Sequence, residues 1–105
     1  MANPYAGEVE IVVGGERHLC KLTLGALAEF EAELGEDSLI ALIERFEAGR
    51  YKAADVLGLV VAGLRGGGWT GTRRDLLTLE IEGGVEEAAR VAARLLIAAF
   101  TPVGQ

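Results

Sequence analysis

His18 and Cys20 are the residues best suited to nucleophilic or metal chemistry, and they lie two apart in Glu16-Arg17-His18-Leu19-Cys20. A thiolate activated by an imidazole would be a nucleophile. On a strand, side chains at i and i+2 share a face but stand roughly 7 Å apart, beyond a direct hydrogen bond. No acid is placed to orient the imidazole, and one His with one Cys is too few ligands for a closed zinc site. The pair is read as packed core side chains. No catalytic and no metal-ligating residue is assigned.

The run Gly66-Gly67-Gly68-Trp69-Thr70-Gly71 invites a second reading, because backbone amides in a glycine-rich turn ahead of a helix can hold phosphate. Here Gly71 is followed by Thr72 and Arg73, so the lysine of a phosphate loop is missing, and the dinucleotide spacing fails as well. The run is therefore expected to be a flexible connector, and no cofactor is assigned. The carboxylates Glu29, Glu31, Glu33, Glu36 and Asp37 lack the ligand spacing of a calcium loop. They read as a solvated acidic face, with attraction of a basic partner as the functional alternative.

Elements must position whatever these residues do. The chain has 105 residues, half of them hydrophobic but only six aromatic, so its core is mainly aliphatic and alanine-rich. The length fits a single domain, 1–105. The net charge is −6, and residues 29–47 alone carry seven acids and one base, which is the whole excess. Such a surface repels nucleic-acid phosphates. The longest uncharged apolar stretch, Val56–Leu64, is about half of a membrane span. The lone cysteine cannot form an internal disulfide, and the first residues have no secretory pattern. A cytoplasmic protein with no nucleic-acid or membrane partner is expected.

The fold expected is α+β, mainly α: an N-terminal β-hairpin packed on a small bundle of four to five helices. The hairpin spans about 8–22 around Gly14-Gly15, since a tight primed turn needs positive φ at both centres. Pairing Val13 with Glu16 sets Glu8 opposite Lys21 and Val12 opposite Arg17. The other face then carries Val9, Ile11, Val13, His18, Cys20 and Leu22. The hairpin's open edges are candidates for pairing with another chain.

Helices are expected over about 24–34, 38–48, 52–65, 73–82 and 85–100. Thr23 and Ser38 cap the first two, and Gly35 and Gly49 end them. Leu24, Leu27, Phe30 and Leu34 form the first apolar stripe, and Leu39, Leu42, Ile43 and Phe46 the second. The third helix is apolar nearly all round, so it is central, and its Gly58 and Gly63 suit close helix approach. Thr72 with Asp75 resembles a capping box, but Leu77, Leu79 and Ile81 alternate and leave a strand open for that region. On the last helix Ala88, Val91, Ala92, Leu95, Leu96 and Ala99 face inward, Glu86 is set to pair with Arg90, and Pro102 stops the helix.

Three residues are candidates for a protein interface. Trp69 either folds back on the core or stands out as an anchor. Ile97 projects into the polar sector of the last helix with Phe100 nearby, a strip either covered by the hairpin or used for association.

Several segments carry a family pattern. They are Gly7-Glu8-Val9 through Gly14-Gly15, and Thr23-Leu24-Gly25-Ala26-Leu27-Ala28-Glu29-Phe30-Glu31 ending in Leu34-Gly35. Glu44-Arg45-Phe46 with Gly49, Asp55-Val56-Leu57, and Ala62-Gly63-Leu64-Arg65-Gly66-Gly67-Gly68 complete it. In these positions the chain resembles the tail protein family of gene transfer agents and related prophages, which has been labelled both tail tube protein and tail assembly chaperone. The resemblance spans about Gly7 to Phe100, is weakest from Trp69 to Glu82, and brings no catalytic residues. It implies a non-enzymatic tail assembly chaperone that binds the tape-measure protein or tail tube subunits, with homo-oligomerisation open. A structural, particle-associated tail component is the alternative. One hairpin is little framework for a tube ring, which favours the chaperone.

Overall fold

The computed structural model describes Asn3 and residues 6–35 and 38–100; Glu36, Asp37 and Pro102, invoked above, lie outside the described residues. Among the described residues two strands, β1 (Glu8–Val13) and β2 (Glu16–Lys21), precede five helices: α1 (Leu24–Leu34), α2 (Leu39–Glu47), α3 (Ala53–Gly66), α4 (Arg73–Leu77) and α5 (Gly84–Phe100). This is the hairpin-plus-helices architecture expected.

The strands pair antiparallel in the expected register, with Val13 opposite Glu16, Val12 opposite Arg17 and Glu8 opposite Lys21. Gly14 and Gly15 both take positive φ, 59° and 81°, as the turn requires. Val9, Ile11, Val13 and Cys20 are buried on one face, and Leu22 is buried just beyond β2.

That face lies on α3, which packs against β2, α1, α4 and α5. Leu59, Val60 and Leu64 of α3 are wholly buried, each contributing about 1.5–3 kcal/mol of hydrophobic burial. The glycines of α3 mark close approaches. A Cβ on Gly58 would sit 2.6 Å from the Phe30 ring, and one on Gly63 would sit 2.6 Å from Leu95 Cδ1 and 3.1 Å from Cys20 Cβ.

The caps form as expected. Thr23 Oγ1 accepts from the Ala26 amide and Ser38 Oγ from the Ala41 amide. At α4, Asp75 N–H donates to Thr72 Oγ1, while the Thr72 amide donates back to Asp75 Oδ2.

Four expectations are corrected. Leu24 is 84% exposed, and α1 instead buries Ala26 and Phe30, with Leu27 and Leu34 at the rim. The reason is that the end of α3 packs on Ala26: a Cβ on Gly66 would lie 3.4 Å from Ala26 Cβ. The helix expected over 73–82 stops at Leu77, and Ile81 instead forms an isolated antiparallel bridge with Val13. Arg90 pairs with Glu87 rather than Glu86, donating from Nε (2.7 Å) and Nη2 to the two carboxylate oxygens.

The fourth correction concerns the glycine run, which is not a loose connector. Cβ atoms on Gly66 and Gly67 would lie 1.9 Å from the Lys21 carbonyl oxygen and 1.8 Å from that of Leu19. Glycine here lets the end of α3 press against the outer edge of β2. The other edge of the hairpin is engaged as well: Gly14 N–H donates to the Glu80 carbonyl (2.8 Å) and Glu82 N–H to the Val12 carbonyl (3.0 Å).

Candidate functional site

Segment 78–84 forms one wall of an open groove. Thr78 closes α4 by donating from Oγ1 to the Asp75 carbonyl (2.9 Å). The chain then runs beside β1 through the Val13–Ile81 bridge. Gly83 and Gly84, with φ of 88° and 67°, reverse it into α5, and Gly84 N–H closes the turn on the Ile81 carbonyl (2.9 Å). Strand-like backbone followed by two positive-φ glycines places Val85 at a rim instead of in the core.

Between this segment, α3 and the start of α5 lies an open groove of about 840 Å³. Val56, Val60, Leu76 and Ala88 are its buried floor, and Tyr51, Leu79 and Val85 its exposed rim. Val85 is 80% exposed, a large fraction for a branched aliphatic side chain at a groove mouth. Among the described residues, Glu80 and Glu82 are the only charged ones in the lining. Tyr51 is held by stacking on Phe46, with ring centroids 4.6 Å apart and planes 11° from parallel. Apolar walls with a few acids at the edge suit the capture of another chain's apolar side chains.

The groove was not visible in the sequence. Its walls come from three separated stretches, 12–15, 51–60 and 76–88, and the alternation of Leu77, Leu79 and Ile81 was the available signal. None of the three residues singled out for an interface lines it. Trp69 is partly buried against the core, its ring lying over Gly71, where a Cβ would approach Cζ2 to 2.2 Å. Ile97 and Phe100 are 66% and 49% exposed, one turn apart on α5. The hairpin does not cover them.

The residues considered for chemistry are placed plainly. Cys20 is fully buried, and desolvation pushes its thiol up to about 12, so thiolate is negligible near neutrality. His18 lies 4.0 Å from Glu16. Among the described residues no group of three His, Cys, Asp or Glu could hold a metal ion. The amides of the glycine run do not cradle an anion, because Gly67, Gly68 and Trp69 donate to carbonyls of Gly63, Arg65 and Leu64. Of the arginines near that run, Arg65 contacts Glu29 at 3.4 Å and Arg73 donates to the Ala54 carbonyl at 3.4 Å.

Sequence reasoning also missed an ion pair beside the groove. Arg45 donates from Nε and Nη2 to Asp55 Oδ2 and Oδ1, both at 3.0 Å, and the Lys52 amide donates to Asp55 Oδ2 at 2.8 Å. Burial by itself would raise the Asp55 carboxyl, but these hydrogen bonds and the charges of Arg45 and Lys52 outweigh it and hold the carboxyl below its ordinary value.

Among the described residues no helix is long and apolar enough to cross a membrane. Compared with known proteins, residues 6–101 match the model of the family described as phage tail tube protein, GTA-gp10. No curated protein and no solved structure matches the chain.

Proposed function

The chain belongs to the phage tail tube protein, GTA-gp10 family, and from that premise we propose that it acts as a non-enzymatic tail assembly chaperone. It holds tape-measure protein or tail tube subunits in the cytoplasm until they are incorporated. The observation that carries this reading is the open apolar groove with Leu79 and Val85 exposed at its rim. Apolar surface of that kind lowers its free energy when a partner covers it. A net charge of −6 keeps the loaded complex soluble. No role for nucleic acid, membrane, metal or cofactor is included.

A second reading, a structural tube-associated component, is favoured by the family's description as a tube protein. Ring formation by strand addition would need a free sheet edge. The close packing of Gly66 and Gly67 on β2, and of Glu80 to Glu82 on β1, supports the chaperone instead.

Co-expression with the tape-measure protein and with the tail tube subunit, followed by affinity capture, tests the choice. The expected result is a complex with one of them and absence of the chain from finished particles. Stoichiometric recovery of the chain in purified particles, or no association with any tail subunit, would overturn the proposal.

A further inference from the structure

We infer that the groove between α3, segment 78–84 and the start of α5 receives an amphipathic helical segment whose apolar face is flanked by lysine or arginine. This rests on the chaperone reading and specifies the chemistry of its client. The argument is charge complementarity around an apolar floor. Floor and rim are aliphatic apart from Tyr51, so the part of the client that enters must be apolar. Among the described residues both charged ones of the lining, Glu80 and Glu82, are acids, and no lysine or arginine lines it. Glu86 extends the acidic lip one residue past Val85, exposed on the first turn of α5, while on the opposite rim the exposed Lys52 stands between Tyr51 and Ala53, so the attraction for a basic flank is confined to the 80–86 lip.

Glu80 and Glu82 are held in position by their own backbones. The Glu80 carbonyl accepts from the Gly14 amide in the hairpin turn and the Glu82 amide donates to the Val12 carbonyl of β1; both residues are exposed. An acidic flank on the client would meet like charge, whereas a basic one is attracted and steered. A second copy of this chain is the competing occupant, since its α5 exposes Ile97 and Phe100 beside Arg94; the net charge of −6 on each copy opposes that pairing.

Two labelled designed peptides of about fifteen residues test the inference. Both carry leucine at i, i+3, i+4 and i+7; one has lysine beside the leucines and the other glutamate. Binding to the full chain is followed by fluorescence anisotropy. The lysine peptide is expected to bind about tenfold tighter than the glutamate peptide, with the difference shrinking in salt. E80K/E82K should erase or invert the preference. Leu79→Asp should weaken the lysine peptide about tenfold, and Val85→Asp, at a more exposed position, should do the same if Leu79→Asp perturbs the fold.

Equal affinity for both peptides, no binding of either, or binding indifferent to both rim variants would overturn the inference. So would a dimer of this chain that Val85→Asp dissolves. Tail subunits that co-purify while the peptides show no charge preference would sink this inference and leave the chaperone standing. The reverse pattern would remove the chaperone and leave the groove's chemistry.

Discussion

Arg45 at the end of α2 grips Asp55 on the first turn of α3 through two parallel hydrogen bonds of 3.0 Å. The same carboxylate caps α3 through the Lys52 amide. One side chain thus ties the acidic helix α2 to the central helix and starts the helix that floors the groove. Neither partner is fully in water: the side chains are 20% and 8% exposed.

Removing one partner leaves the other poorly solvated, so Asp55→Ala and Arg45→Ala are each expected to destabilise the fold by about 3 kcal/mol. Arg45→Met should cost less than Asp55→Ala, because it leaves Asp55 able to protonate and to keep the Lys52 cap. Urea unfolding with a double-mutant cycle measures the coupling.

The pair also sets a pH dependence. The folded carboxyl titrates below its ordinary value of 3.8, so the unfolded chain binds the proton more readily. The stabilisation is present above the ordinary value and is lost as pH falls below it through the lower folded value. Thermal melts from pH 6 to pH 2 should show an acid limb that is shallower in Asp55→Asn. An unchanged limb would mean that other carboxylates control it.

Cys20 offers a chemical test of the non-enzymatic proposal. With its thiol pushed up to about 12 by burial, the native chain should react with a thiol reagent only through unfolding, and rapidly in denaturant. Cys20→Ala should cost about 1–2 kcal/mol in packing and leave tail-subunit binding intact. Rapid labelling of the native chain would contradict the buried placement.

Glycine positions separate two kinds of close contact. Gly63→Ala drives a methyl to 2.6 Å from Leu95 Cδ1, the end of a flexible side chain. Its helix-propensity gain offsets part of the overpacking, for a net loss of about 1–2 kcal/mol. Gly66→Ala places a methyl 1.9 Å from the Lys21 carbonyl, and a strand backbone cannot step aside. The second variant should therefore lower the melting temperature more than the first, and calorimetry of the two side by side decides.

These contacts show where the sequence was legible. The hairpin register followed from Gly14-Gly15 and strict alternation, and Thr23, Ser38 and Thr72 were readable as caps because each acts within three residues. What depended on distant partners was not. The 73–82 region carried both periodicities, and the bridge from Ile81 to Val13 decided between them. Gly66 and Gly67 read as slack chain because nothing local announces β2 against them. For the same reason the pairing of Arg45 with Asp55 was hidden, since the two are ten residues apart on different helices, α2 and α3.

Trp69, the only tryptophan, reports on the end of α3. Its ring lies over Gly71, where a Cβ would approach it to 2.2 Å. Gly71→Ala should push the ring outward, shifting its emission to longer wavelength with little loss of stability, since the residue is only partly buried. Unchanged emission would place the ring elsewhere.

Leu95, Leu96 and Ile97 are consecutive on α5, yet the first two are 1% and 5% exposed and the third 66%. If exposure governs the cost, Leu95→Ala should lose about 2–5 kcal/mol and Ile97→Ser about 0.5 kcal/mol or less. The same comparison separates the two apolar surfaces. Ile97 and Phe100 lie at the C-terminal end of α5 and Val85 at its start, so they sit roughly 18–23 Å apart along the axis. An Ile97→Ser/Phe100→Ser variant should keep its melting temperature and its hold on tail subunits, whereas Val85→Asp should keep the first and lose the second. Loss of binding in the serine variant with binding retained in Val85→Asp would move the docking surface from the groove to the far end of α5.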